Sequence, residues 1–185
     1  MADKDFTFVE KPEGSDPAVY GNYLLTYGAL RATSVLDMVT QVLAGLGPGD
    51  KIKSLTLVGH GGPGYMSVGT SNFFLTAPAN QNVDGKYIDV GNLNNQNPLI
   101  QLRCKFAQGS TVHLQGCNVG ANKEGAKLVY KLNKFLQCVD EVIAPSGVVS
   151  LLGSIGDNQV SKKGDTAPPK PISPYFFKRY KKNYK

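Results

Sequence analysis

The sequence predicts an α/β domain with a mainly parallel sheet and helices on both faces. Apolar runs typical of buried strands alternate with amphipathic stretches, and glycines or prolines separate them. The chain has 185 residues, of which 41% are hydrophobic, and is therefore long enough to bury one core. In such sheets the carboxyl ends of the strands form one edge, where functional sites are expected.

Composition divides the chain into four predicted segments. Residues 1–19 carry charges, Gly14, Pro12 and Pro17 without a sustained period, which predicts an irregular segment. Residues 20–156 are the predicted α/β domain, and residues 157–169 are a polar, proline-rich linker. Residues 170–185 form a basic, aromatic tail.

The first half of the domain alternates strand and helix. Aromatic and aliphatic residues at 23–27 predict a first strand. From Ser34 to Leu46, apolar side chains recur at spacings of three and four, which predicts a helix with one buried face. Residues 52–58 end in a compact apolar run typical of a strand covered on both faces, and residues 65–69 predict a hairpin arm.

The second half of the domain follows the same alternation. Its predicted elements are a short helix from Pro98 to about Gly109, a strand at 111–115, a helix from Asn122 through Leu136 and a strand at 139–144. The side chain of Asn122 is placed to cap its helix. The polar region before Asn97 gives no clear pattern.

The cysteines predict free thiols. Cys104, Cys117 and Cys138 are an odd number without C-x-x-C spacing, and the two histidines, His60 and His113, do not complete a zinc ligand set. Free thiols favour a reducing compartment, so a cytoplasmic location is the default expectation. Export by a route without a signal peptide stays compatible with the sequence. We expect neither a metal nor a cofactor.

The sequence shows no targeting or membrane-spanning segment. The first thirty residues contain five acidic residues and lack the apolar core of a secretory signal. No run approaches the roughly 18 apolar residues of a membrane-spanning helix.

Two predicted strand ends carry the reactive residues. The strand at 52–58 leads into GHGGPG with His60, and the strand at 111–115 leads into GCNVG with Cys117. A cysteine is a nucleophile as its thiolate, which an imidazole or a helix N-terminus favours. His60 can serve Cys117 as base and then a leaving amine as acid, while the N–H groups of Gly61 and Cys117 bind an oxyanion.

The glycines on either side of Cys117 and the second histidine also need an interpretation. Gly116 and Gly120 predict a sharp turn that admits a substrate to the sulfur. His113 lies four residues before Cys117 on the same strand, roughly 13 Å away at about 3.3 Å per residue. We therefore expect His113 to be a sheet residue rather than the base.

LTLVGHGGPG followed by VHLQGCNVG resembles the caspase-like cysteine peptidases of clan CD, in which one strand leads to His-Gly and a later strand leads to the catalytic cysteine. The motifs look most similar to bacterial members. These are the caspase-like domains found at the start of some large adhesins and the self-cleaving domains of multifunctional toxins. The resemblance covers about residues 34–147.

This resemblance implies a caspase-like three-layer sandwich and a cysteine endopeptidase that acts on protein or peptide through a covalent thioester. His60 would be the general base, Cys117 the nucleophile and Gly61 an oxyanion donor. The resemblance identifies no residue of the substrate pocket. The candidate acids for such a pocket are Asp84, Asp89, Asp140 and Asp157.

Other interpretations stay open. The domain can be a caspase-like binding or regulatory module whose dyad is idle, and Cys117 can be a buried small apolar residue. Cys104 and Cys138 are expected to be structural. HGGPG also resembles the oxyanion loop of α/β-hydrolases. That fold also needs a nucleophile elbow of the type G-x-S-x-G and a histidine that follows the nucleophile in the chain, and both are missing.

The tail carries the net charge of +6. Residues 170–185 hold six of the twenty Lys and Arg and no acid, which leaves fourteen basic residues against fourteen acidic ones in the body. Five aromatic residues interleave with these bases, so the tail from Lys170 to Lys185 is a candidate for binding a polyanion or an anionic surface. The resembling toxin domains respond to inositol hexakisphosphate, one specific polyanion. The simpler alternative is a solvated basic end whose aromatic part packs as a last strand.

Overall fold

A computed structural model describes residues 2–10, 28–69, 85–95, 97–150, 153–154 and 156–174. The strands are β1 Asp3–Glu10, β2 Leu30–Ala32, β3 Lys51–Val58, β4 Gly61–Gly62, β5 Tyr65–Ser67, β6 Tyr87–Asp89, β7 Phe106–Gln115, β8 Glu141–Pro145, β9 Val149–Ser150, β10 Gly153–Ser154 and β11 Asn158–Lys162. The helices are α1 Val35–Gly45, α2 Asn122–Leu136 and a short 3-10 helix, Pro98–Leu102.

Six strands form one sheet in the order β11-β8-β7-β3-β1-β2. The pairs β1–β2, β1–β3, β3–β7 and β7–β8 are parallel, and β11 runs antiparallel to β8 at one edge. The predicted α/β class with a mainly parallel sheet is therefore confirmed. The parallel strands end at the same edge of the sheet, the carboxyl edge, and begin at the opposite one, the amino edge.

The main core lies on one face of this sheet. Phe6 of β1 pairs with Leu55 of β3, which pairs with Val112 of β7, and all three side chains are buried in one cluster. The buried stripes of α1 and α2 belong to the same cluster. The two described α-helices thus pack on the same face, and they do not provide the predicted arrangement of helices on both faces.

Helix α1 forms as its sequence predicts. The Ser34 hydroxyl caps the first turn by accepting a hydrogen bond of 3.1 Å from the Asp37 N–H. The buried side chains follow the helical period along one face: Val35, Met38, Val39 and Val42. The helix passes over the Phe6 ring at Gly45, where a Cβ atom would lie 2.8 Å from the ring. No described helix is long and apolar enough to cross a membrane.

The prediction of irregular structure at residues 1–19 is wrong for β1. This strand lies inside the sheet between β3 and β2, pairing with β3 over most of its length and with β2 over Phe8, Val9 and Glu10. Phe6, Phe8 and Val9 are buried, whereas the charges of Asp3 and Asp5 lie at the more exposed start of the strand. The strand predicted at 23–27 falls outside the described residues.

The connection into β7 also differs from the prediction. The helix predicted from Pro98 ends as a 3-10 turn at Leu102, and β7 already begins at Phe106. Lys105 begins this pairing before the strand itself starts, because its carbonyl accepts a hydrogen bond of 2.9 Å from the Ile52 N–H. Sheet pairing thus overrides the weak local helical pattern.

The start of α2 and the predicted linker need two further corrections. Asn122 does not cap α2 with its side chain; it is the first helical residue, with φ +60°, and its N–H donates to the Ile172 carbonyl at 2.7 Å. Residues 157–169, predicted as a linker, contain β11, which pairs with the whole of β8. Two buried polar residues of β11, Gln159 and Ser161, gave the stretch its loop-like composition.

Candidate active site

His60 and Cys117 follow the ends of adjacent parallel strands. Val58 of β3 pairs with Gln115 of β7, and each candidate residue lies two positions beyond this pair. The Gly59 N–H still donates to the Gln115 carbonyl at 3.2 Å, so the two chains remain paired one residue past β3. The fold therefore brings both residues to neighbouring positions on the carboxyl edge.

The two loops that carry these residues are in direct backbone contact. A Cβ atom at Gly61 would lie 3.5 Å from the Gly116 Cα, and one at Gly116 would lie 2.9 Å from the Gly59 carbonyl oxygen. A Cβ atom at Gly120 would likewise lie 2.8 Å from Gln159 Cβ. The chain turns at these residues, as the sequence predicts, with the Val119 N–H donating to the Gly116 carbonyl at 3.4 Å, and Gly116 and Gly120 are also required for the close packing around the turn.

A buried carboxyl group holds the His60 loop. Glu10, 1% exposed at the end of β1, accepts a hydrogen bond of 2.7 Å from the His60 N–H. Its other oxygen accepts from the Ser67 hydroxyl, also at 2.7 Å, and the Ser67 N–H donates to the His60 carbonyl at 2.8 Å. The half-buried His60 is therefore fixed through its backbone on both sides.

Sequence reasoning missed Glu10 because it missed β1. The available signal was an acid at the end of the apolar run FTFVE, since an acid that follows such a run comes to the carboxyl edge of a parallel sheet.

The loop of Cys117 rests on the chain that follows β8. The Asn118 N–H donates to the Gly147 carbonyl and the Gly120 N–H donates to the Pro145 carbonyl, both at 2.8 Å. The half-buried Cys117 sulfur lies 4.0 Å from the Val149 carbonyl oxygen. Asn118 has φ +59°, and its buried Oδ1 has no hydrogen-bond partner among the described residues. Backbone strain and an unpartnered acceptor thus adjoin Cys117.

Two backbone N–H groups of the touching loops are the predicted oxyanion donors. The Cys117 N–H has no acceptor in the described part of the chain. Gly61 of β4 pairs with Met66 of β5, and because the next pair, His60 and Ser67, is hydrogen-bonded, Gly61 and Met66 form the non-bonded pair. The Gly61 N–H therefore points away from β5, and both predicted oxyanion donors lie in the touching loops.

His113 lies within β7, as predicted. It pairs with Thr56 on one side and with Ile143 on the other, and its Nε2 is 3.1 Å from the Thr111 hydroxyl oxygen. Burial lowers the pKa of His113, and the Coulombic interaction with Glu141 acts in the opposite direction. The expectation that His113 is a sheet residue is confirmed.

The structure separates the candidate acids of a substrate pocket. Asp140 precedes β8, so it lies at the opposite edge of the sheet, where its carboxylate accepts from the Gly109 and Ser110 N–H groups. Asp140 is therefore wrong as a pocket residue. Asp89 accepts hydrogen bonds within its own turn. Asp157 lies beside the end of β8, since its carbonyl accepts from the Ser146 N–H. Asp84 is outside the described residues.

Cys104 and Cys138 are remote from Cys117. They precede β7 and β8 and so lie at the amino edge, the opposite end of the ten-residue strand β7. Within the described ranges, no group of three or more His, Cys, Asp or Glu is arranged to hold a metal ion.

Comparison with known proteins gives one match. The protein-family profile described as "Domain of unknown function (DUF4347)" matches residues 27–182. No curated protein and no solved structure is significantly similar to the chain. The matched region contains both candidate strand ends and all of the sheet except β1. The chain therefore belongs to the DUF4347 family.

Proposed function

We propose that this protein is a caspase-like cysteine endopeptidase in which His60 and Cys117 form the catalytic dyad. The observation that carries the proposal is that both residues stand two positions beyond the same pair, Val58 and Gln115, on adjacent parallel strands. Neighbouring strands lie about 4.8 Å apart, which is within reach of an imidazole and a thiol.

The reaction would proceed in two steps. His60 takes the thiol proton of Cys117, and the thiolate attacks the carbonyl carbon of a peptide bond. His60 then gives this proton to the leaving amine, which leaves an acyl thioester on Cys117. Water, deprotonated by His60, hydrolyses the thioester and restores the thiol. The N–H groups of Gly61 and Cys117 would bind the oxyanion in both steps.

Glu10 would act as a positioning residue. It contacts the backbone of His60 and not the substrate, and it ties the end of β1 to the loop after β3. Because Ser67 shares the same carboxyl group, the hairpin after His60 is part of the same arrangement.

The test is the order in which the three thiols react with iodoacetamide in the reduced full chain, followed cysteine by cysteine by peptide mapping. If solvent exposure alone set the reaction rates, Cys104 would react fastest, because it is exposed and Cys117 is half-buried. An activated dyad makes Cys117 the fastest, and this preference should disappear in His60→Ala and persist in His113→Ala. A reaction order that follows exposure in all three proteins would contradict the proposal.

Peptide cleavage separates the enzyme from the idle module. We expect the chain to generate new termini in a mixture of unstructured peptides, and Cys117→Ala to generate none. Selective labelling of Cys117 without any cleavage would favour the alternative, a caspase-like binding or regulatory module.

A further inference from the structure

The two cysteines outside the candidate site form a close pair. Cys104 lies between the 3-10 helix and β7, and Cys138 lies between α2 and β8. Their sulfur atoms are 2.9 Å apart, although 34 residues separate them in the chain. A disulfide bond needs about 2.05 Å between the sulfurs, so only a small movement is required.

The backbone around this pair is held in place on both sides. The Arg103 Nε donates to the Phe135 carbonyl at 2.7 Å, and the same guanidinium lies 4.6 Å from the centre of the Phe135 ring. The Lys51 ammonium donates to the Cys104 carbonyl at 2.8 Å. The Arg103 contacts join the segment of Cys104 to the last turn of α2, and the Lys51 contact joins it to the start of β3. Neither sulfur is involved, so the thiols are positioned before they react.

We propose that Cys104 and Cys138 form a reversible disulfide, with glutathione disulfide as the oxidant. The exposed Cys104 thiolate attacks glutathione disulfide, which gives a mixed disulfide and releases one glutathione thiolate. Cys138 then attacks the Cys104 sulfur and releases the second. The two thiols lose two protons and two electrons, and one glutathione disulfide becomes two glutathiones.

The environment of each sulfur fits this order of events. Cys104 is exposed, whereas Cys138 is half-buried. The hydrogen bond with Cys104 raises the pKa of the Cys138 thiol, burial raises it further, and nearby Lys163 acts in the opposite direction. The raised pKa lowers the thiolate fraction of Cys138 and so disfavours it for the first attack, whereas its proximity to the Cys104 sulfur favours it for the second, intramolecular one. Cys117 is separated from the pair by the length of β7 and therefore cannot form a disulfide with either of them.

The first experiment counts thiols in the full chain after incubation with excess glutathione disulfide. We expect peptide mapping to join Cys104 to Cys138 in a linked peptide pair about 2 Da lighter than the two reduced peptides, with neither cysteine open to iodoacetamide, whatever the state of Cys117. Dithiothreitol should restore three thiols. A stable glutathione adduct on Cys104, a bond between either of them and Cys117, or a disulfide between two chains would overturn the proposal.

Variants separate this inference from the proposed peptidase. Cys117→Ser should form the bond as the parent does, whereas Cys104→Ser and Cys138→Ser should not. Closing a loop of this length should raise the melting temperature of the parent and of Cys117→Ser by roughly 5–15 °C on oxidation. An equal shift in Cys104→Ser would contradict the inference, and the result does not depend on peptidase activity.

Discussion

The N–H of His60 donates a hydrogen bond of 2.7 Å to the carboxyl group of Glu10, which lies 50 residues earlier in the chain and at the end of a different strand. The same carboxyl group accepts from Ser67, so one buried side chain joins β1, the His60 loop and the following hairpin. The position of the candidate base therefore depends on a strand that contributes no candidate catalytic residue.

Replacing Glu10 by alanine tests this dependence. The substitution removes the acceptor of the part-buried His60 N–H, at roughly 1–3 kcal/mol, and leaves the Ser67 hydroxyl with the Gly69 carbonyl, at 3.1 Å, as its acceptor. We expect Glu10→Ala to lower the free energy of unfolding in urea and to slow the iodoacetamide reaction of Cys117. The control, Ser67→Ala, removes one contact and leaves the His60 N–H paired, so labelling should stay at the parent rate. Equal effects of both variants on labelling would refute a positioning role.

The contact between the two loops can be tested through Val119. A Cβ atom at Gly61 or Gly116 would collide with Val119 Cγ2, and we expect each alanine variant to lose roughly 1–3 kcal/mol through overpacking. Val119→Ala should rescue most of the loss in Gly61→Ala, but less in Gly116→Ala, where the Cβ also meets the Gly59 carbonyl oxygen. Urea unfolding of the two double-mutant cycles measures this difference. Identical rescue in both would show that the loops are not in the described contact.

The acid stability of the protein should depend on Asp50. The hydrogen bond from the Ala2 N–H, together with Lys4, lowers the pKa of Asp50 from 3.8 to about 2. A lowered pKa stabilises the folded state above the unfolded pKa, and this contribution is lost as the pH falls through the folded value. We therefore expect the urea midpoint of the parent to fall between about pH 4 and pH 2 more steeply than that of Asp50→Asn. Parallel pH profiles would contradict this.

Two truncations test how the tail is attached. The side chain of Gln159 bonds the Lys170 carbonyl and the Ile172 N–H, and the Ile172 carbonyl accepts from the Asn122 N–H. Ending the chain at Pro174 keeps these bonds and removes five of the six tail bases, so this chain should melt at a higher temperature than one that ends at Pro169. Ending it at Pro169 should cost roughly 1–3 kcal/mol for each buried group that is left unpaired.

The chain that ends at Pro174 also tests the predicted polyanion site. It retains a formal net charge of +1, because five of the six excess charges are removed. We expect binding of inositol hexakisphosphate, measured by calorimetry, to be lost in the chain that ends at Pro174. Unchanged binding would place the site outside the basic tail.

The sequence predicted correctly those elements whose signals all lie within one short segment. The serine cap and apolar stripe of α1 and the compact apolar run of β3 each appear within one short window. The His60 and Cys117 motifs could be assigned to strand ends for the same reason. Their mutual distance could not, because it depends on β3 and β7 being neighbours in the sheet.

The features that were missed arise from pairing between distant segments. β1 begins with three charged residues, Asp3, Lys4 and Asp5, so its sequence does not show the apolar pattern of a strand until its buried second half. Glu10 has a role only because β1 lies beside β3. Cys104 and Cys138 have no informative spacing, and only the parallel alignment of β7 with β8 brings their sulfurs together.

The position of β1 has a practical consequence for work on the family. The matched region begins at residue 27, but the strand that separates β3 from β2 is made of residues 3–10. A protein trimmed to the recognised domain boundaries would lack an interior strand, so that β2 and β3 would each expose an edge open to other chains. It would also lack the Glu10 carboxyl group that accepts a hydrogen bond from the His60 N–H. A negative activity assay on such a fragment would therefore say nothing about the activity of the intact protein.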